Sequence, residues 1–585
     1  MMKYLLVVGA IISVVACAEP LPPSCRYPVY CDSDLLHHVQ MARVFPDSKT
    51  FVDYHMRSDP NDTLAAFQQL LDQTNNAPSK EHLTQFVHQH FTNDSELEDW
   101  TPNDYNENPV FLSTIRDEQL RQFAKDVNNI WPILGRKIKS NVFQNPDRYS
   151  IIPVSNGFII PGGRFKELYY WDAYWIVEGL LITGMKDTTK GMLNNFVELL
   201  NTVGLIPNGG RWYYEKRSQP PLFTAMMSLY IRYTSDIDFL KQHIDALETE
   251  MNFWLDNKIT TINKNGKSYT LLRYYAPTAG PRPESYYEDY TTSLHFNTTE
   301  SRQDFYVELK SAAESGWDFS SRWFIDADGD NTGHLTNLRT VDIIPVDLNA
   351  IFANALQNVA YFRSILGQPR IAARWGALAR LWRNNIEQVL WNEEVGVWLD
   401  YDVANQKHRN YFYPTNLSPL WMETVTKNDM KKHAPRIIQY MHDSGALNYR
   451  GGLPASMLRT GEQWDFPNSW PPLVSMAVNA MKALNTEESK LIAFQLAQDY
   501  VRACHKGYQE HKQMFEKYDS ENPGQYGGGG EYTVQEGFGW SNGVVFEFLA
   551  MYGREMTAND SLDDSENGTE PAASSHQPVS VQKAP

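Results

Sequence analysis

Apolar residues return at helical spacing in segment after segment of this chain, and almost nowhere at the two-residue period of a strand. Leu120, Phe123, Val127, Ile130 and Leu134 mark a helix over 117–135, with Pro132 expected to kink it. Leu240, Ile244, Leu247, Met251 and Trp254 mark another over 235–255, behind a Ser235/Asp236 cap. The pattern recurs over 192–203, 346–365, 371–391, 473–484, 487–504 and 541–552, each about three to six turns long. Shorter helices are expected at 33–45 and 62–73, after a proline-rich start. Only 395–401 alternates convincingly as a strand, and 268–275 is a second extended candidate. No strand–helix–strand series supports a parallel sheet, and no short period supports a solenoid. The fold class is therefore all-α, and the chemistry-bearing segments lie mainly in the loops between helices, as expected if paired helices form a rigid ring and one rim carries the site.

At 585 residues the chain fits one large catalytic domain over 19–556 with an N-terminal extension. A formal charge of -18 disfavours nucleic acid or an anionic membrane as partner and suits a neutral small molecule. Residues 1–18 hold Lys3, an apolar run and the small-residue site Ala16-Cys17-Ala18, which read as a secretory signal peptide, so the protein is expected to be secreted and extracellular. A lipoprotein signal at Cys17 is the competing reading. Cys25 and Cys31 are close enough to close a small disulfide loop, leaving Cys504 free. Asn61, Asn93, Asn297, Asn416, Asn559 and Asn567 head glycosylation sequons. Residues 557–585 are polar, without an aromatic residue or a membrane-anchor signal, and are expected to be a disordered tail.

The loops carry a distinctive mixture. Residues 161–175 read Pro-Gly-Gly-Arg-Phe-Lys-Glu-Leu-Tyr-Tyr-Trp-Asp-Ala-Tyr-Trp, joining Arg164, Glu167 and Asp172 to six aromatic residues. Aromatic faces suit the C–H faces of a sugar ring, and arginine and carboxylate groups suit its hydroxyls. The plainer reading is a helix start with a buried aromatic stripe. Related mixtures occupy 207–221, 280–285, 314–323 and 463–472, and a last one runs from 515–519 through 527–532 to 537–543. Glycoside hydrolysis needs one protonated carboxyl and one carboxylate. Asp318, between Trp317 and Phe319, is the acid candidate, because apolar neighbours raise a carboxyl pKa. Glu516 is the base candidate, with Lys517 favouring its ionised form. For either, with 70 acidic residues in the chain, a solvated surface group is the alternative. Arg164, Arg217 and Arg282 could converge on a ligand or form separate surface ion pairs.

Other motifs fall short. The glycines of 527–530 lack the Lys-Ser/Thr of a phosphate loop, and 539–543 matches a nucleophile elbow without its strand. Asp326-Ala-Asp-Gly-Asp330 hints at a calcium loop but lacks the turn glycine and the bidentate glutamate. No His/Cys cluster has zinc spacing, and neither metal nor cofactor is expected.

Taken together, these segments resemble the trehalases of glycoside hydrolase family 37, most closely the secreted soluble form of insects. Residues 161–175 match that family's first signature and 463–472 its second, with Ser469 and Pro471 departing from the usual Gly and Ala; the similarity spans about 28–551. The resemblance implies an (α/α)6 toroid and inverting hydrolysis of α,α-trehalose to two glucose molecules. It places the general acid on Asp318 and the general base on Glu516, about 6.5–9.5 Å apart as inversion requires. It places sugar binding on Arg164, Trp171, Asp172, Asn208, Arg217, Ser218, Gln219, Arg282, Glu284, Gly316 and Glu531. The glycine-rich stretch 527–531 is expected to act as a lid that brings Glu531 to the sugar. Another all-α glycosidase and a catalytically silent sugar-binding protein are the rival readings.

Overall fold

The computed structural model describes residues 20–530 and 532–559. The expected signal peptide, Glu531, the Asn567 sequon and the tail from 560 onward lie outside the described residues. Thr557 and Asn559, assigned from sequence to the tail, are instead held by hydrogen bonds from the Arg502 guanidinium, and the Ala558 amide donates to Asp117.

Two short helices, α1 (Asp34–Met41) and α2 (Ser48–Asp53), lie in the N-terminal segment. The helix expected at 33–45 is found as α1, which ends at Met41; α2 is an additional helix, started by the Asp47 side chain, which accepts from the Thr50 amide. The Cys25–Cys31 disulfide forms and Cys504 is a buried free thiol. Helices over Pro60–Gln73, close to the one expected at 62–73, and Lys80–His90 follow, and then α3 (Glu118–Asn128), capped by Asp117. The helix expected over 117–135 stops there; Pro132 sits at the start of a separate turn, where its missing N–H costs nothing.

The ring follows as α4 (Asp172–Ile182), α5 (Lys186–Val203), α6 (Phe223–Thr234) and α7 (Ile237–Asn257). The hairpin β1 (Ile259–Lys264) and β2 (Lys267–Leu272) then leads to α8 (Thr299–Glu314). It continues as α9 (Val346–Ile365), α10 (Pro369–Leu390), the short α11 (Ser418–Trp421), α12 (Lys427–Asp443), α13 (Pro471–Leu484), α14 (Glu487–His511) and α15 (Gly539–Tyr552). The stretch 395–401 splits into two-residue strands, of which Val397–Trp398 pairs with Trp391–Asn392.

Helices α4, α6, α9, α11, α13 and α15 contact one another in that order, and α15 closes back onto α4. They are buried on nearly every side, as helices inside a second layer must be. Helices α3, α5, α7, α10, α12 and α14 form the outer layer and keep a polar face, so the architecture is the expected (α/α)6 toroid. The closing joint needs a glycine. A Cβ on Gly543 of α15 would fall 2.0 Å from the Trp175 carbonyl oxygen of α4. Among the described residues no helix is long and apolar enough to cross a membrane.

Candidate active site

The residues before the N-termini of α4, α6, α13 and α15 all reach one cavity of about 910 Å³, mouth included. Four positive helix ends thus point toward a site rich in carboxylates. Eleven of the thirteen sequence-chosen residues line it: Arg164, Trp171, Asp172, Asn208, Arg217, Gln219, Arg282, Glu284, Gly316, Asp318 and Glu516. Ser218 does not. Its hydroxyl donates to the Ile206 carbonyl at 2.6 Å and its amide to Glu314 at 3.1 Å, so it shapes the turn between Arg217 and Gln219.

Glu516 is 2% exposed. Its backbone is fixed by donation to the Gln535 carbonyl at 3.0 Å and by the Trp540 indole N–H at 2.9 Å. The Tyr532 hydroxyl donates to Oε1 at 2.8 Å and the Gln535 amide to Oε2 at 3.4 Å. Burial pushes the Glu516 carboxyl above its ordinary pKa, and Lys517, Tyr532, Gln535 and Arg164 only partly offset this. Lys517 acts in the expected direction, but burial is the larger effect. Arg164 is oriented by Asp47 at 3.2 Å and lies 5.2 Å over the Tyr532 ring.

Asp318 follows Gly316, whose φ of +81° favours glycine and whose absent side chain admits the Trp171 indole; a Cβ there would meet it at 2.7 Å. The Asp318 carbonyl accepts from the Gln463 side-chain amide, and the Trp464 amide donates to the Phe319 carbonyl at 3.0 Å. Trp317 and Phe319, expected to dry Asp318 directly, have other partners. Trp317 stacks on Trp464 with centroids 5.2 Å apart, and Phe319 lies 4.9 Å under the Arg282 guanidinium. The apolar lining comes instead from Trp171, Trp464, Trp470 and Trp540, with Trp464 and Trp470 stacked at 3.7 Å. Behind the loop, Arg322 is clamped between Asp347 at 2.7 Å and Asp400 at 2.8 Å.

Asp172 opens α4 with a third carboxyl. Burial drives it well above its usual pKa; the negative fields of Glu516 and Asp318 add to this, and its own helix-end N–H opposes. The arginines converge with carboxylates of their own, so they are not separate surface pairs. Arg217 donates to Asn208 at 3.1 Å and to Glu284 at 2.5 Å, and Arg282 makes a two-pronged pair with Asp289 at 3.0 and 2.7 Å. Burial would raise the Glu284 carboxyl, but Arg217 and Arg282 outweigh it and hold it below its ordinary range. The Gln219 side-chain carbonyl accepts from the Trp171 amide at 3.0 Å, knitting the loops before α4 and α6 together.

Part of the wall has no counterpart in the sequence reading. Asp47, Ser48 and Lys49 of the N-terminal segment and Glu288 line the cavity, beside Ser285 at the end of the 280–285 segment. Ser48 donates to Glu288 at 3.0 Å, and Gln40 bridges the Ser48 and Pro283 carbonyls at 2.8 and 3.2 Å. The one available signal was the Asp47 cap, which marks a helix start but no site. Tyr532 lay inside a recognised segment without being singled out. The start of the 527–531 stretch is pinned, because Asn468 exchanges hydrogen bonds with both the amide and the carbonyl of Gly528 at 2.8 and 2.9 Å. Asp326 is satisfied within its own loop by the Asp328 and Asp330 amides, and among the described residues no cluster of metal-ligating side chains occurs.

The sequence model of the family described as Trehalase matches residues 43–553. A trehalase of Bombyx mori is 58% identical over 567 residues, covering 97% of each chain. A trehalase of Homo sapiens is 43% identical over 545 residues, covering 93% of this chain and 92% of its own. Among solved structures, the neutral trehalase of Saccharomyces cerevisiae aligns with a TM-score of 0.53 at 23% identity, covering 68% of this chain and 74% of its own.

Proposed function

The chain belongs to the trehalase family and hydrolyses α,α-trehalose to glucose; we propose that it does so by inversion, with Asp318 as general acid and Glu516 as general base. The observation that carries the assignment is that both carboxyls line one tryptophan-floored cavity walled by arginine–carboxylate pairs. Asp318 gives its proton to the bridging oxygen as the glycosidic bond breaks, and α-glucose leaves. Glu516 takes a proton from the water that forms the new bond to the anomeric carbon, which departs as β-glucose. The Tyr532 hydroxyl and the Gln535 amide hold both Glu516 oxygens in place. A raised pKa makes Glu516 a stronger base once ionised. Arg217, Glu284, Arg282 and Asp172 supply the fixed donors and acceptors for hydroxyls.

Time-resolved NMR of the anomeric protons tests this. Equal α- and β-glucose before mutarotation is expected, and Asp318→Asn and Glu516→Gln are each expected to lower kcat by about 10²–10⁴-fold. Initial release of α-glucose alone would overturn inversion, and full activity in either variant would overturn that residue's role.

Secretion with N-glycosylation belongs to the same proposal. The Cys25–Cys31 disulfide supports an oxidising compartment, and Asn61, Asn93, Asn297 and Asn559 are exposed. Protein produced in eukaryotic cells is expected in the medium with an N-terminus at Glu19. Recovery of the intact 1–18 segment on a cell-retained protein would refute export.

A further inference from the structure

Lys517 lies beside Glu516, is fully buried, and does not line the cavity. Its ammonium donates to the Gln463 side-chain carbonyl at 2.9 Å and sits 4.7 Å from the Trp470 ring and 5.8 Å from the Tyr532 ring. Among the described residues it forms no ion pair within 4.0 Å. A buried cation held only by a neutral amide and aromatic faces is costly, and an apolar residue of similar length would serve packing better.

Its position explains the cost. Gln463 spans the two halves of the catalytic pair: its carbonyl holds Lys517 next to Glu516, and its amide holds the main chain of Asp318. The arginines of the wall have carboxylates of their own, Asp47, Glu284 and Asp289. We propose that Lys517 is the positioning residue that supplies the shared counter-charge of Asp318 and Glu516, tied through Gln463 to the main chain of Asp318. Before reaction Glu516 is ionised and Asp318 protonated; afterwards the proton has left Asp318 for the leaving oxygen and a water proton has reached Glu516. One negative charge passes from one carboxyl to the other, and a fixed positive charge acting on both keeps the dry cavity neutral throughout. The fields of Glu516 and Asp318 both act upward on the Lys517 ammonium, while burial brings it down to about 8, so it is charged at neutral pH. Among the described residues the groups facing it are Glu516 and Gln463, the Trp470 and Tyr532 rings, and Asp318 across Gln463; Arg164, over the Tyr532 ring, acts on the Glu516 carboxylate as well.

The inference rests on the proposed roles of Asp318 and Glu516, and its test is the pH profile of kcat/KM for trehalose in Lys517→Gln and Lys517→Arg. Loss of the positive charge raises both carboxyl pKa values. The acid limb, where Glu516 must be ionised, and the alkaline limb, where Asp318 must be protonated, both move to higher pH in Lys517→Gln, with roughly tenfold lower kcat/KM on the acid side. KM at the optimum stays near that of the parent, because Lys517 does not line the cavity, and Lys517→Arg keeps both limbs in place. A fall in plateau without limb movement, or identical limbs in the two variants, would refute the counter-charge. If Asp318→Asn and Glu516→Gln stay active, it is the catalytic assignment that fails. If those two are inactive and the Lys517→Gln limbs are unmoved, only the lysine inference fails.

Discussion

Single positions differ in what they can tolerate, and Gly316 is among the least tolerant. Alanine there meets both a left-handed backbone and the Trp171 indole at 2.7 Å, so Gly316→Ala is expected to cost about 1–3 kcal/mol in thermal unfolding and to lower kcat/KM as the indole shifts. Glu516 carries an opposite trade. Its folded pKa is raised, so the folded state binds the extra proton and stability falls as pH rises from the ordinary glutamate value through the raised one. Glu516→Gln is therefore expected to unfold at a higher temperature than the parent at pH 7, with the difference vanishing near pH 4, even as activity is lost. Asn416 shows that a sequon is not a glycan site: it is 1% exposed and its amide donates to the Tyr411 carbonyl and the Tyr440 hydroxyl, both at 2.9 Å. Removing N-glycans enzymatically should give the same mass change in Asn416→Gln as in the parent, whereas Asn61→Gln should reduce it.

At the level of elements, the ring helices were largely legible, because 3.6-residue stripes are local: 346–365 is predicted and found without change, and 235–255 shifts by two residues. The carboxyls and arginines were legible too, since loops that hold them mix residue types a core avoids. Contacts made at long range were not. Helix α2 looks like a capped surface turn in sequence, yet its cap residue orients Arg164 and its Ser48 fixes Glu288. Nor could the sequence tell that Trp317 backs the cavity while Trp464 and Trp470 line it. If α2 walls the mouth against the leaving glucose, Asp47→Ala should raise KM for trehalose about tenfold, in line with a lost charge-assisted hydrogen bond. Hydrolysis of α-glucosyl fluoride, which lacks that second ring, should be unaffected; an equal effect on both substrates would mean that Asp47 merely supports the fold.

The molecule as a whole is a closed ring with the proposed catalytic pair divided along the chain. Asp318 belongs to the middle of the sequence, Arg164 precedes the first inner helix, and Glu516 precedes the last. The joint between α15 and α4, tight enough to exclude a Cβ from Gly543, is also where Gln535 meets Arg164 at 2.8 Å. A polypeptide emerges from the ribosome N-terminus first, so the proposed acid and most of the cavity wall are synthesised well before the proposed base. Activity is consequently a property of the finished chain. A product halted before α15 is expected to retain the arginines but to lack the partner that seals the ring, and so to be catalytically silent until that helix docks.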